Sequence, residues 1–205
     1  MVSSLKKQQK ADGRPPVNIA IFASGTGSNA RQIISYFKES LKIKISLIVC
    51  NNPTAGVIDI AAEEHIPVLH IKKSTFMESG NVDDFRHYQI DFIVLAGFLW
   101  KIPSVLINAF PNKIINIHPA LLPGYGGKGM YGNAVHEAVI AAGEKESGIT
   151  IHYVDEKYDH GKTIFQTKCK VDEEDTAETL ANRIHELEHE FYPKIIDSVL
   201  NEINR

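Results

Sequence analysis

Cysteine is almost missing from this chain of 205 residues: only Cys50 and Cys169 occur, so no disulfide framework can form and a reducing, cytoplasmic setting is expected. Neither has a partner at metal-ligand spacing, and both read as packed thiols. Long hydrophobic runs are missing too. Apolar stretches reach about half a dozen residues where roughly 20 are needed to cross a bilayer, which argues against a membrane partner. Residues 1–16 (MVSSLKKQQKADGRPP) lack the apolar centre of a signal peptide and read as a polar, disordered tail, leaving residues 17–205 for a single domain. Charge of one sign is also lacking. The 22 Lys plus Arg against 25 Asp plus Glu leave a net charge of −3, without the basic field that holds a nucleic acid. Among themselves His118, His136, His152, His160 and Asp159 form no His-x-x-x-His or Glu-flanked helical pair, so no metal is expected.

What the chain does have is an alternation of apolar β-branched runs with amphipathic stretches. Strands are expected at residues 17–23 (VNIAIFA), 43–50, 67–71, 91–96 (DFIVLA), 113–118 (KIINIH), 148–154 and 163–169. Several are apolar throughout, as in strands covered on both faces. Helices are expected at 29–41, where Ile33, Phe37 and Leu41 keep helical spacing, and at 55–65, 131–142 and 176–200. Strand followed by helix, repeated, implies an α/β fold: an open, mostly parallel twisted sheet with helices on both faces. Ligands of such sheets bind beyond the carboxyl ends of the strands.

The segment Ser24-Gly25-Thr26-Gly27-Ser28-Asn29 follows the first strand and opens the first helix, whose free N–H groups and positive dipole end suit an anion, most simply a phosphate. Gly25-x-Gly27-x-x-Ala30 also fits a dinucleotide fingerprint, but Cys50, Asn51, Asn52 and Pro53 stand where that fingerprint needs an acid. No Gly-Lys-Ser/Thr follows, which excludes a Walker loop. A tight turn that binds nothing is the alternative. Further along, Asn116 and His118 are two apart on one strand and hence share a face, and Asp159 lies in the loop after the strand carrying His152. An amide, an imidazole and a carboxylate suit acyl transfer to an amine, where an oxyanion needs donors and a proton must change nitrogens. A carboxylate beside His118 is expected to raise its pKa. A packed histidine and a turn-forming aspartate are the alternative. On the last helix Leu180, Ile184, Leu187, Phe191 and Ile195 make an apolar stripe that contains Glu188, with His185 at its border. A core-facing carboxylate needs a partner, either a buried base or the hydroxyls of a ligand.

Taken together, Ser24 to Asn29, Leu95-Ala96-Gly97-Phe98, the run Asn116-Ile117-His118-Pro119-Ala120-Leu121-Leu122-Pro123, Tyr158-Asp159-His160-Gly161 and Glu188-His189-Glu190-Phe191-Tyr192-Pro193 resemble the phosphoribosylglycinamide formyltransferases of purine biosynthesis over about residues 17–200. The resemblance implies a Rossmann-like formyltransferase fold and one-carbon transfer from 10-formyltetrahydrofolate, as co-substrate, to glycinamide ribonucleotide. Gly27, Ser28, Asn29 and His185 would bind the ribonucleotide, with Glu188 on its ribose hydroxyls. Asn116, His118 and Asp159 would be catalytic, and Leu99, Trp100, Lys101, Ile102, Asn116, Val154, Asp155, Tyr158 and Asp159 would hold the folate. The glycine-rich stretch 124–132 replaces a compact Pro-x-Tyr-Pro-Gly turn of relatives and reads as a mobile closing loop, with Lys128 near the phosphate; Arg86 is the candidate for the folate tail. Formyltetrahydrofolate hydrolase and methionyl-tRNA formyltransferase share the Asn-x-His-Pro run but normally carry another domain. A nucleotide-binding module without chemistry is the rival of a different class, and the choice between monomer and homodimer stays open.

Overall fold

A computed structural model describes residues 13–203, so residues 1–12 of the expected tail lie outside the described residues. The β-branched runs form β1 (Val17–Ala23), β2 (Ile43–Cys50), β3 (Val68–His70), β4 (Phe92–Leu95), β5 (Ile114–His118), β6 (Glu146–Tyr153) and β7 (Thr163–Lys170), close to where the sequence places them. They make one sheet in the order β3–β2–β1–β4–β5–β6–β7. The strands from β1 to β5 are parallel, whereas β6 runs antiparallel to both β5 and β7. At its edges β3 has only three residues, and β7 carries Lys168 and Lys170, paired with Glu146 at 2.7 Å and Asp172 at 2.6 Å.

Side chains alternate across the sheet, so the strands from β1 to β5 each feed two cores. On one side Ile19, Ile21, Ile115 and Ile117 meet α1 (Ser28–Phe37), α2 (Val57–Glu63) and α7 (Ala177–Ile203). On the other, Ala20, Phe22, Ile93 and Ile114 meet Phe76 of α3 (Lys73–Ser79), Phe85 of α4 (Val82–His87) and Leu106 of α5 (Ser104–Ala109). These last three helices are not anticipated from sequence, because six or seven residues are too few to show a helical period. Helix α6 (Asn133–Ala141) lies against α7. None of the helices among the described residues is long and apolar enough to cross a membrane.

Two helices differ from their sequence patterns. Helix α1 stops at Phe37, and Leu41 is 60% exposed instead of buried. The stop is the Ser40 hydroxyl, which accepts the amides of Lys42 and Ile43 and turns the chain into β2. In α7 the buried line runs through Leu180, Ile184, Glu188, Tyr192, Ile196 and Leu200, at steps of four, with Leu187, Phe191 and Ile195 only flanking it. Glu188 therefore sits inside the buried line rather than at its margin.

Tyr192 is fully buried, and its hydroxyl donates to the carbonyls of Leu95 (2.9 Å) and Ile115 (3.3 Å), fastening α7 to β4 and β5 beside the strand ends. Tyr192→Phe leaves these contacts unmade at about 1–3 kcal/mol. The expected outcome is a lower urea midpoint with an unchanged slope; an unchanged midpoint would mean that the hydroxyl contributes nothing.

Candidate active site

The turn from β1 to α1 is built around Gly27, the helix N-cap, at φ +80°. A Cβ there would lie 2.8 Å from Cβ of Val57 and 2.9 Å from Cδ1 of Ile60, so glycine is required both by φ and by the close approach of α2. Gly25, although the sequence motif pairs it with Gly27, has neither constraint: its φ is ordinary and a Cβ would meet open space. No acidic residue and no side-chain cap occupies the first turn of α1, which leaves its N–H groups facing outward. Ser24 joins this turn to the next strand end, since its amide donates to Gly97 O (3.0 Å) and its hydroxyl accepts from Leu99 N (3.0 Å).

The pairing of Asn116 with His152 and of His118 with Thr150 across β5 and β6 sets the polar group. His152 is buried, with Nδ1 2.8 Å from the Tyr153 carbonyl; a carbonyl only accepts, so Nδ1 carries the proton and Nε2 accepts from Asn116 Nδ2 at 3.1 Å. One amide hydrogen of Asn116 stays free. By the same reasoning His118 donates from Nε2 to the Tyr125 carbonyl (2.8 Å), so that Nδ1 is its basic atom. That nitrogen faces Asp159 Oδ2 at 3.7 Å, while Asp159 Oδ1 is 3.7 Å from His152 Nε2. Asp159 itself has φ +52°, and its Oδ2 accepts the amide of Gly127 at 2.9 Å. The glycine-rich stretch thus reaches the group through backbone atoms of Tyr125 and Gly127. The Thr150 hydroxyl, bonded to Ala120 O, Leu122 N and Gln166 Nε2, anchors the segment that leads into it.

Burial lowers the pKa of both His118 and His152, and for His118 it outweighs the opposing effect of Asp159. The expected net rise at His118 is therefore not what the structure shows, because a 3%-exposed ring is too poorly solvated to hold charge readily. His152 is a site residue that sequence reasoning weighed only as a metal ligand. Its signal is the strand register opposite Asn116, which a linear reading does not show.

All the expected site residues but Arg86 line one cavity of about 740 Å³ over the carboxyl ends of the strands. Gly27, Ser28, Asn29, His185 and Glu188 face it together with Asn116, His118 and Asp159. Leu99, Trp100, Lys101, Ile102, Val154, Asp155 and Tyr158 do so as well, and Lys101 Nζ lies 5.8 Å from the centre of the Tyr158 ring. Lys128 joins the wall. Arg86 does not: it pairs with Asp83 on the exposed face of α4 at 2.9 Å. Cys50 is buried and Cys169 partly so, and neither lines the cavity.

Glu188, 5% exposed, accepts a hydrogen bond from Asn29 Nδ2 at 2.8 Å, so its protein partner is a neutral amide rather than a buried base. Burial pushes its pKa up to about 7, with the Asn29 bond opposing. A carboxyl raised in this way binds its proton more tightly folded than unfolded, so its contribution to stability is complete below about pH 4.5 and is lost as pH rises through 7. Glu188→Gln removes that loss. Its unfolding midpoint at pH 8 should exceed that of the parent, by about 2–4 °C for each kcal/mol gained, and the advantage should shrink toward pH 5. A midpoint below the parent's at pH 8 would show that the charged carboxylate is well accommodated.

The Formyl transferase family model matches residues 17–196. Phosphoribosylglycinamide formyltransferase of Bacillus subtilis is 40% identical over 192 residues, which are 91% of this chain and 96% of that protein. The chloroplastic phosphoribosylglycinamide formyltransferase of Arabidopsis thaliana is 41% identical over 191 residues, or 90% of this chain. The chain spans about two thirds of the length of the chloroplastic relatives, 65% for Arabidopsis and 61% for Vigna unguiculata. The crystal structure of phosphoribosylglycinamide formyltransferase from Bacillus halodurans superposes with a TM-score of 0.82 at 38% identity, covering 89% of this chain and 95% of that one. A match over most of the sheet and a bacterial relative aligned over nearly its whole length settle the family: the chain belongs to the formyl transferases and, among them, to the phosphoribosylglycinamide formyltransferase group.

Proposed function

We propose that the chain transfers the formyl group of 10-formyltetrahydrofolate to the primary amine of glycinamide ribonucleotide in purine biosynthesis, by direct attack through a tetrahedral intermediate. The observation that carries this reading is the convergence of Asn116, His118 and Asp159 with the amino end of α1 on one cavity. The amides of Ser28 and Asn29 take the phosphate, Glu188 takes the ribose hydroxyls, and the walls from Leu99 to Ile102 and from Val154 to Asp159 take the folate. The amine nitrogen bonds to the formyl carbon and the carbonyl oxygen becomes an oxyanion, to which the free amide hydrogen of Asn116 donates. His118 Nδ1, unprotonated at rest, accepts the proton of the attacking nitrogen, and the nearby Asp159 carboxylate stabilises the imidazolium. That proton passes to the folate nitrogen as its bond to the formyl carbon breaks. His152 holds the Asn116 amide in orientation.

A binding module without chemistry would hold the ribonucleotide but form no product when both substrates are present. Under the enzymatic reading, Asp159→Asn should lower kcat by about a hundred- to a thousandfold or more, the scale of losing one electrostatic element of a transition state. Because residues acting as a unit are not additive, adding His118→Ala should slow it little further. Single-turnover rates with both ligands saturating check this, and fully additive losses would separate the two residues.

The pH profile is a second test. Since burial holds His118 below its ordinary 6.5, the rate should be level above that pH and fall as acid protonates Nδ1. Asp159→Asn removes an influence that raises this pKa, so its acid limb should shift to lower pH. A limb that moves upward would contradict the assignment. Treatment with a chelator should leave the rate unchanged.

A further inference from the structure

Two polar atoms in the cavity wall are buried without a hydrogen-bond partner: His136 Nδ1 and Asn29 Oδ1. His136 is only 3% exposed and sits in the opening turns of α6, against α7. An unsatisfied buried ring nitrogen is costly, and one kept at a cavity wall is placed for completion by a molecule that fills the cavity. The same cavity gathers the amino end of α1, with uncapped N–H groups and no acid in its first turn, and His185 of α7. Open amides at a helix amino end together with imidazole donors select an anion with several acceptor oxygens.

We propose that His136 is a further ligand of the ribonucleotide's phosphate monoester, donating its Nδ1–H to a phosphate oxygen and closing the anion site that Ser28 and Asn29 open. This rests on the reading that a ribonucleotide binds at the end of α1. The titratable groups that act on the ring are His185 of α7 and His118 of β5. Of the acids that line the same cavity, Glu188 is engaged by Asn29, and Asp159 by the Gly127 amide. Burial, followed by the His185 and then the His118 imidazole, holds His136 down to about 4, so it is neutral at rest. A phosphate dianion reverses that balance by favouring the charged ring, and binding then draws a proton from solution.

The test is calorimetric titration of the full chain at pH 7 with ribose 5-phosphate and with ribose, in two buffers of different ionisation enthalpy, so that proton uptake is read alongside affinity. The parent should bind ribose 5-phosphate with proton uptake and ribose far more weakly. His136→Ala should weaken ribose 5-phosphate on the order of 10- to 100-fold, the size of one hydrogen bond to a charged group, and lose the uptake. His136→Asn, which keeps a donor near the Nδ1 position, should lose less affinity but equally lose the uptake, and it decides the matter should the alanine variant not fold. Parent-like uptake and affinity in the variants would overturn the role of His136 while leaving the anion site in place. A parent protein that binds no ribose 5-phosphate would overturn the anion site itself.

Discussion

The antiparallel pairing of β6 on β5 is the constraint from which the site follows. In a sheet whose first five strands are parallel, this reversal sets Asn116 beside His152 and His118 beside Thr150. It also returns the chain through residues 154–162, so that Asp159 lies between two imidazoles. The reactive group is thus assembled from neighbouring strands and one short return, with the Thr150 hydroxyl tying the outgoing segment to the same strand pair.

Burial, more than charge pairing, determines the proton inventory around the cavity. His118, His136 and His152 are each held below the ordinary imidazole value, with desolvation first among the causes. Glu188 is held above the ordinary carboxyl value for the same reason. The two effects act on stability with opposite signs. The imidazoles, neutral in the fold, withdraw their contribution as pH falls below about 6.5, and Glu188 withdraws its own as pH rises through 7. Both kinds of group lie ready to exchange a proton when a charged ligand replaces solvent.

Much of this was legible in the amino acids. The central strands β1, β4 and β5 are doubly covered, so their apolar runs are nearly continuous and stand out, and the phosphate turn, the Asn-x-His pair and the misplaced Glu188 are local signals. The illegible parts depend on distant partners or on brevity. Nothing local marks Asn29 as the partner of Glu188, 159 residues away, or His152 as the orienting base for Asn116. Leu41 continues a helical period that a serine turn ends, and the expected rise in the His118 pKa rested on its charged neighbour without the depth of its burial. The glycine-rich stretch read as a mobile flap; its backbone makes contacts with His118 and Asp159 that composition alone does not reveal.

The two rims of the sheet bear on how copies of the chain can meet. A strand edge exposes unpaired amides and carbonyls that invite another strand, and such invitations are withdrawn by shortness or by lysine. β3 offers three residues, and β7 presents Lys168 and Lys170 along its outer border. Shortness at β3 and lysine at β7 thus each discourage the addition of a further strand, so both rims work against open-ended growth of the sheet.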